Sequence, residues 1–532
     1  MRRVALFLLL LLPTAYFAWR HADMPQFGRW IHDDSVYFVS AKSIAEGHGY
    51  RILSYPDTPF QTKYPPLFPL VLAGVWKLNP HFPDNLVLGT LVSWLWVPVL
   101  LWLCLRLFLA YGFSEKQAWA MTALFAVNPY LAIFGSSMLS ELPFTCLLIL
   151  CLLFCIRAAQ ERAPVRWAVL AGVTGGLSFL TRTTGLMLLV SGVVCFLWRK
   201  QRKQALWFAA TMLPFVAGWT IWTRLHMVHG ADPVTLYYTT YLDYHLYLVK
   251  LADLPMILWK NVDQWLLGVG ALIIPEASDA RIVKIVTQTV GVAILAGVVR
   301  LVRSGRALDY AMFAVPFSIM LVAWHYPPTE RLVAPVYPLL LAGFWRELRH
   351  IASMLGVALH HRDKSQRVAA GATGLMLVGV LAAGAWMQYN VGWRILPREM
   401  NERRKEWAAD EIAFKWMCTH LPHDAQVLTY NDPILFLYTG HRAASLEVVS
   451  MFWYRGNLDV VLDTYAHVAD FAGVQRLGYA YFTHTDFRRH MGDADRKRVI
   501  ELIEHNPDLE VTQRFASATL YRVRPHREMA AP

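Results

Sequence analysis

Long apolar stretches separated by short polar segments constrain this chain more than any other feature. Eleven of them cover residues 4–19, 86–106, 118–134, 142–156, 167–180, 186–198, 206–222, 282–301, 310–323, 333–344 and 368–387. Stretches of this kind form transmembrane helices, because in hydrocarbon every backbone polar group must be satisfied within the chain. Only 17% of the residues are charged, against about 25% in an average soluble protein. We therefore predict a polytopic α-helical membrane protein with about eleven transmembrane helices.

Lys and Arg are concentrated in every second loop. Segments 106–117, 157–166, 199–205, 300–309 and 345–367 each carry at least two basic residues, whereas 135–140 carries none and 181–185 and 324–332 carry one each. Arg2 and Arg3 precede the first stretch. Because basic loops stay in the cytoplasm, the pattern predicts a cytoplasmic N-terminus. An odd number of spans then predicts that the C-terminal tail lies in the periplasm, outside the inner (plasma) membrane. The net charge of +12 does not indicate a nucleic-acid partner, since the bases form no continuous stripe.

The composition changes after Met387. From about residue 398 onward the chain is charged and alternates helical and strand patterns. Strands are predicted at 426–430, 479–483 and 519–523, and helices at 407–420, 433–439 and 496–505. We predict a transmembrane domain over residues 1–390, with an outer loop at 20–85, and a soluble extracytoplasmic α/β domain over 391–532.

The outer loop at 20–85 contains a paired carboxylate, Asp33 and Asp34, at the start of a helical pattern that carries Tyr37. A Gly-x-Gly sequence, Gly47 to Gly49, ends this pattern, as is typical of a helix C-terminus. The acid pair has two interpretations that the residues alone leave open. It is either the first turn of a capped helix or a catalytic acid placed at the membrane surface.

The predicted topology places further ionisable side chains on the same outer side. They are Lys63, Glu141, Arg182, His325, Glu330 and Arg331. A carboxylate can accept the proton of an attacking hydroxyl, and a guanidinium can bind a departing phosphate through two parallel hydrogen bonds. Structural alternatives remain open at this point: Glu141 as a helix-start acid, Arg331 as an interface anchor, and His325 as an ordinary interfacial histidine.

The motifs of these outer segments resemble those of a known family. In order, they are Asp33-Asp34-x-x-Tyr37, Glu46-Gly47-x-Gly49-Tyr50, Lys63-Tyr64-Pro65-Pro66-Leu67, Ser140-Glu141-x-Pro143, Thr181-Arg182 and Arg331-Leu332-x-x-Pro335. They resemble the polyprenyl-phosphate-sugar-dependent glycosyltransferases of the GT-C fold. The nearest branches are the protein mannosyltransferases, the lipid A aminoarabinose transferases and the transferases of rhizobial core galacturonic acid.

The resemblance implies roles for individual residues. Asp33 would be the general base, with Asp34 as support or alternative. Glu141, Arg331 and the displaced Lys63 would bind the donor phosphate or the substrate. Arg182, His325 and Tyr37 are predicted to bind it with them, from their place in the same outer segments. The aminoarabinose branch has its lysine directly before Pro-Pro, whereas here Tyr64 stands between Lys63 and Pro65.

The same resemblance implies an inverting transfer of a sugar from a polyprenyl-phosphate donor to a lipid, glycan or protein acceptor. The lipid-linked sugar would enter from the bilayer. No metal site is predicted, although a divalent metal ion stays open as an alternative. The rival functions are a transporter or flippase of lipid-linked saccharides, for which we find no repeated halves, and a ligase of such saccharides, which would carry its main loop late in the chain.

Overall fold

The computed structural model describes residues 2–24, 27–28, 32–160, 164–228, 233–246, 248–275, 280–446, 448–487 and 491–524. In these ranges the α-helices are α1 (Arg2–Arg20), α2 (Asp33–Ala45), α3 (Leu67–Leu78), α4 (Leu86–Ala110), α5 (Glu115–Ala126), α6 (Pro129–Gly135), α7 (Glu141–Ala158), α8 (Arg166–Thr181), α9 (Leu186–Trp198), α10 (Arg202–His226), α11 (Pro233–Thr239), α12 (Tyr241–Leu246), α13 (Leu254–Gly270), α14 (Arg281–Arg303), α15 (Leu308–Ala323), α16 (Glu330–Val333), α17 (Tyr337–Leu359), α18 (Lys364–Asn390), α19 (Leu396–His420), α20 (Asp432–Thr439), α21 (Ser450–Arg455), α22 (Leu458–Ala466), α23 (Val468–Val474) and α24 (Asp493–Glu504). The strands are β1 (Val427–Thr429), β2 (Ala443–Ala444), β3 (Tyr479–Thr483), β4 (Leu509–Arg514) and β5 (Ala518–Val523).

Six of the described helices are long and apolar enough to cross a membrane: α1, α4, α7, α10, α14 and the run from α18 through α19. Helices α5 and α6 meet the same criterion together, but the chain bends by 65° between them. Helices α3 and α15 and the segment Thr183–Trp198 are apolar and shorter. The protein is thus a multi-pass membrane protein. Each of the eleven predicted stretches overlaps one of these helices or α8 or α17, and the number of spans stays a prediction.

The chain forms two compact units. The first contains Met1–Ala22, Thr90–Trp219 and Ala252–Arg398, and therefore most of the apolar helices. Small residues allow its helices to approach closely. A Cβ atom added to Gly297 in α14 would lie 2.0 Å from the carbonyl oxygen of Gly343 in α17. Such contacts leave no room for a larger residue at this crossing.

The second unit contains Asp23–Gly89, Thr220–Leu251 and Glu399–Pro532. Its sheet has the strand order β2-β1-β3-β5-β4. Strands β2, β1 and β3 are parallel, and β5 pairs antiparallel with both β3 and β4. Residues of the first loop, Ile52 and Tyr55, lie in the same apolar core as Leu428 and Phe482 of the sheet. The first loop and the C-terminal segment thus share one core.

The predicted strands at 426–430, 479–483 and 519–523 are confirmed as β1, β3 and β5, and the predicted helices at 407–420, 433–439 and 496–505 as parts of α19, α20 and α24. Strands β2 and β4 were not predicted. The helical run does not stop where the composition changes, because a π-helical segment, Val391–Ile395, joins α18 to α19. The predicted domain boundary at 390/391 stays a prediction, and the two compact units divide this run at Arg398.

Candidate active site

Asp33 is the first residue of α2, as the helical pattern predicts. The hydroxyl of Tyr64 donates a hydrogen bond of 2.5 Å to Oδ1 of Asp33. Burial, reinforced by the negative charge of Asp33, raises the pKa of Tyr64 well above its usual range. The phenol therefore stays protonated and donates to the Asp33 carboxylate.

Lys63 and Tyr37 both lie close to Tyr64. The ammonium nitrogen of Lys63 lies 3.4 Å from the ring centroid of Tyr237 and 5.1 Å from that of Tyr64. The ring of Tyr37 is buried and meets Tyr64 edge to face, with the centroids 4.8 Å apart. A cation placed this close to the face of an aromatic ring is attracted to it. The sequence does not identify Tyr64 and Tyr237 as site residues. Its signals are that Tyr64 separates Lys63 from Pro65 and that Tyr237 lies in a tyrosine-rich segment.

Asp34 is oriented differently from Asp33. Its side chain is buried, and its Oδ1 accepts hydrogen bonds from the backbone amides of Gly28, at 2.9 Å, and Ser35, at 2.6 Å. Gly28 has a φ of +70°, and an added Cβ would lie 2.3 Å from a side-chain carbon of Ile434. Asp34 thus binds the backbone of Gly28 and of the first turn of α2, whereas Asp33 binds the side chain of Tyr64.

Glu141 is the first residue of α7 and is only 1% exposed. Its Oε1 accepts hydrogen bonds from Nη1 of Arg182, at 2.8 Å, and from Nε of Arg331, at 2.6 Å. Arg182 lies in extended backbone between α8 and the short 3₁₀ helix Thr183–Gly185, and its Nη1 also donates to Ser140 Oγ. The cluster of one carboxylate and two guanidiniums carries one net positive charge. It is suited to binding an anion.

Two further candidates lie in the loop before α17. His325 is buried, its ring stacks on Trp324 with the centroids 5.6 Å apart, and burial lowers the pKa of this histidine. The neutral imidazole is therefore favoured there. Glu330 accepts a hydrogen bond of 3.0 Å from the hydroxyl of Tyr130.

Six of the eight predicted site residues thus form two groups, one in each compact unit. Asp33, Tyr37 and Lys63 are joined through Tyr64 in the second unit. Glu141, Arg182 and Arg331 are joined through one carboxylate oxygen in the first unit. Among the residues that the structure describes, no group of three or more His, Cys, Asp or Glu side chains could hold a metal ion.

Comparison with known proteins gives one family match. Residues 63–222 match the model of the dolichyl-phosphate-mannose-protein mannosyltransferases. This segment begins at Lys63 and includes Glu141 and Arg182. No curated protein sequence matches the chain significantly.

Solved structures extend the likeness to the whole chain. ArnT from Cupriavidus metallidurans bound to undecaprenyl phosphate aligns with 99% of this chain and 99% of its own, at 13% identity and a TM-score of 0.55. The same ArnT in its apo state aligns over 92% of this chain and 93% of its own, at 12% identity and a TM-score of 0.52. The chain therefore shares the fold of ArnT. The family match covers less than a third of the chain, and the structural likeness establishes the fold.

A second solved protein has a similar fold. The oligosaccharyltransferase of Archaeoglobus fulgidus, tethered to an acceptor peptide, aligns with 96% of this chain and 74% of its own, at 11% identity and a TM-score of 0.53. At identities this low the shared property is the fold. A shared fold does not determine which substrates a protein uses.

Proposed function

We propose that this protein is a glycosyltransferase that moves a sugar from a polyprenyl-phosphate donor to an acceptor on the outer side of the membrane. The transfer inverts the anomeric carbon, and Asp33 is the general base. The donor class is supported by the neighbouring fold that was solved with undecaprenyl phosphate and by the family match that starts at Lys63. The observation that carries the proposal is the carboxylate of Asp33, which is fixed at the first residue of α2 by Tyr64.

In the proposed reaction the acceptor hydroxyl gives its proton to the Asp33 carboxylate while its oxygen attacks the anomeric carbon. The new bond forms as the bond between that carbon and the phosphate oxygen breaks, and the electron pair leaves with the lipid phosphate. A single displacement of this kind inverts the anomeric carbon. A general base in the right place typically supplies a factor of about 10²–10⁴ in rate.

The cluster of Glu141, Arg182 and Arg331 is proposed to bind the phosphate of the donor. A phosphate has several acceptor oxygens, and guanidinium groups match them with charge-assisted hydrogen bonds. Both arginine side chains retain some exposure, 21% for Arg182 and 18% for Arg331, whereas that of Glu141 retains 2%. The carboxylate is therefore buried, and the guanidiniums are the part of the cluster that a ligand can reach.

The test of the proposed base is Asp33→Asn in purified, lipid-reconstituted protein. We expect transfer from a radiolabelled polyprenyl-phosphate sugar to fall by about 10²–10⁴-fold, with an unchanged melting temperature. The matched control is Asp23→Asn, which alters an exposed carboxylate of the same loop that pairs with Arg404. Full turnover by a folded Asp33→Asn protein would refute the assignment.

The outer position of the C-terminal segment is tested separately. Alkaline phosphatase folds only where disulfides can form, outside the cytoplasm. Fused after residue 532, it is expected to be active in intact cells, and fused after Arg199, in a basic loop, it is expected to be inactive. An inactive C-terminal fusion at normal expression would contradict the odd number of spans.

A further inference from the structure

A buried carboxylate of the C-terminal segment meets the residue that precedes Asp33. Asp432, the first residue of α20, has no exposed surface. Its Oδ1 lies 3.4 Å from Nε2 of His32 and accepts a hydrogen bond from the hydroxyl of Tyr238. All three residues belong to the second compact unit.

His32 is the N-cap residue of α2, but its side chain makes no capping hydrogen bond. Its backbone carbonyl accepts a hydrogen bond of 2.8 Å from Ser35 Oγ in the first turn. The imidazole instead points to Asp432 through Nε2 and lies 3.4 Å from the hydroxyl of Tyr237 through Nδ1. The start of the helix is thus held from outside by a side chain of α20.

Burial of a carboxylate is costly unless it is paired and hydrogen-bonded. Tyr238 supplies a hydrogen bond to one oxygen of Asp432, and Nε2 of His32 lies 3.4 Å from the same oxygen. Removing its charge while keeping its shape would loosen His32, and the next residue in the chain is Asp33. A reacting group must be held to within a fraction of an ångström. Such loosening therefore lowers kcat more than it weakens donor binding.

We propose that Asp432 is a positioning residue that acts through His32 to hold Asp33 in place. The inference rests on the proposed role of Asp33 as the base. It assigns the C-terminal α/β segment a part in the transfer reaction, because this segment supplies the carboxylate that fixes the start of α2.

The test compares kcat and the KM for the lipid donor in two variants, Asp432→Asn and His32→Gln. We expect kcat to fall about 10- to 100-fold in each and KM to stay within about twofold of wild type. His32→Gln is the second route in case Asp432→Asn does not fold, since the side chain of His32 is 16% exposed and that of Asp432 is fully buried.

The matched control is Asp410→Asn. Asp410 is 3% exposed, lies in α19 of the same unit, and accepts a hydrogen bond of 3.2 Å from the hydroxyl of Tyr481. This variant removes a buried carboxylate charge from a Tyr–Asp pair that does not involve His32. We expect its melting temperature to fall while its kcat stays within about twofold of wild type.

The double variant, Asp432→Asn with His32→Gln, shows whether Asp432 acts through His32 or independently of it. If Asp432 acts through His32, the double variant loses no more turnover than the more impaired single variant, because the second change removes nothing that remains. Multiplied losses, or a kcat for Asp432→Asn no lower than that of Asp410→Asn, would overturn the inference. Failure of the proposed function has a different signature, which is normal turnover in Asp33→Asn.

Discussion

Asp33 and Glu141 both begin a helix, yet their carboxylates are bound in different ways. Asp33 is partly buried and accepts a hydrogen bond from a neutral phenol, Tyr64. Glu141 is almost fully buried, and one of its oxygens is shared by the guanidiniums of Arg182 and Arg331. The two acids lie in different compact units of the chain.

The difference indicates different tasks for the two acids. A carboxylate that bridges two guanidiniums fixes their geometry and leaves one net positive charge for an anion. The Asp33 carboxylate accepts a hydrogen bond from the phenol of Tyr64, and in the proposed reaction it accepts the proton of the attacking hydroxyl. We therefore expect changes around Glu141 to affect folding and donor binding, and changes around Asp33 to affect turnover.

The largest effect on stability is expected for Glu141→Gln. This change removes the negative charge that Arg182 and Arg331 share, and breaking a buried ion pair costs about 3–5 kcal/mol. Thermal unfolding followed by tryptophan fluorescence measures the loss as a lower melting temperature. The control is Glu347→Gln in the same unit, because Glu347 pairs with a single and more exposed guanidinium, that of Arg300. Equal shifts in the two variants would show that the shared oxygen has no special role.

The next effect concerns donor binding. Arg331→Ala removes a guanidinium proposed to bind the phosphate, and a hydrogen bond to a charged group contributes about 1.5–3 kcal/mol. The KM for the lipid donor is therefore expected to rise by about 10- to 100-fold, with a smaller change in kcat. Steady-state transfer assays at varied donor concentration measure both parameters.

Arg300→Ala is the control for this change, since Arg300 also forms an ion pair with a glutamate of the first unit. Its donor KM is expected to match that of wild type. If Arg331→Ala instead lowers stability and activity in parallel, the interface-anchor interpretation of Arg331 holds.

The sequence predicted much of this arrangement because the membrane restricts it. Loop charges and the lengths of apolar stretches predict one side for each polar segment, and this pattern places Glu141, Arg182 and Arg331 on the same predicted side. The shared oxygen of Glu141 was not predictable, because its two partners come from segments 41 and 190 residues away.

Other features gave too weak a signal in the sequence. Strand β2 has only two residues, Ala443 and Ala444, and is a strand only because it pairs with β1. Strand β4 is mostly exposed and polar, so it lacks the hydrophobic alternation that predicts a strand. The contact of Tyr64 with Asp33 joins residues 31 positions apart, and no periodicity relates them.

The smallest effect expected from this comparison is that of Tyr64→Phe. The ring and its packing against Tyr37 are kept, and only the hydrogen bond to Asp33 is lost. A neutral donor contributes about 0.5–1.5 kcal/mol, so kcat is expected to fall by about 2- to 10-fold while the donor KM stays unchanged. Tyr481→Phe removes an equivalent hydrogen bond to Asp410 in the same unit and is expected to leave kcat unaltered.

If both variants lose turnover equally, the loss reflects general loosening of the second unit, and Tyr64 has no particular relation to the base. If Tyr64→Phe raises the donor KM at constant kcat, the Asp33 group binds the donor, and the division of tasks between the two acids is wrong.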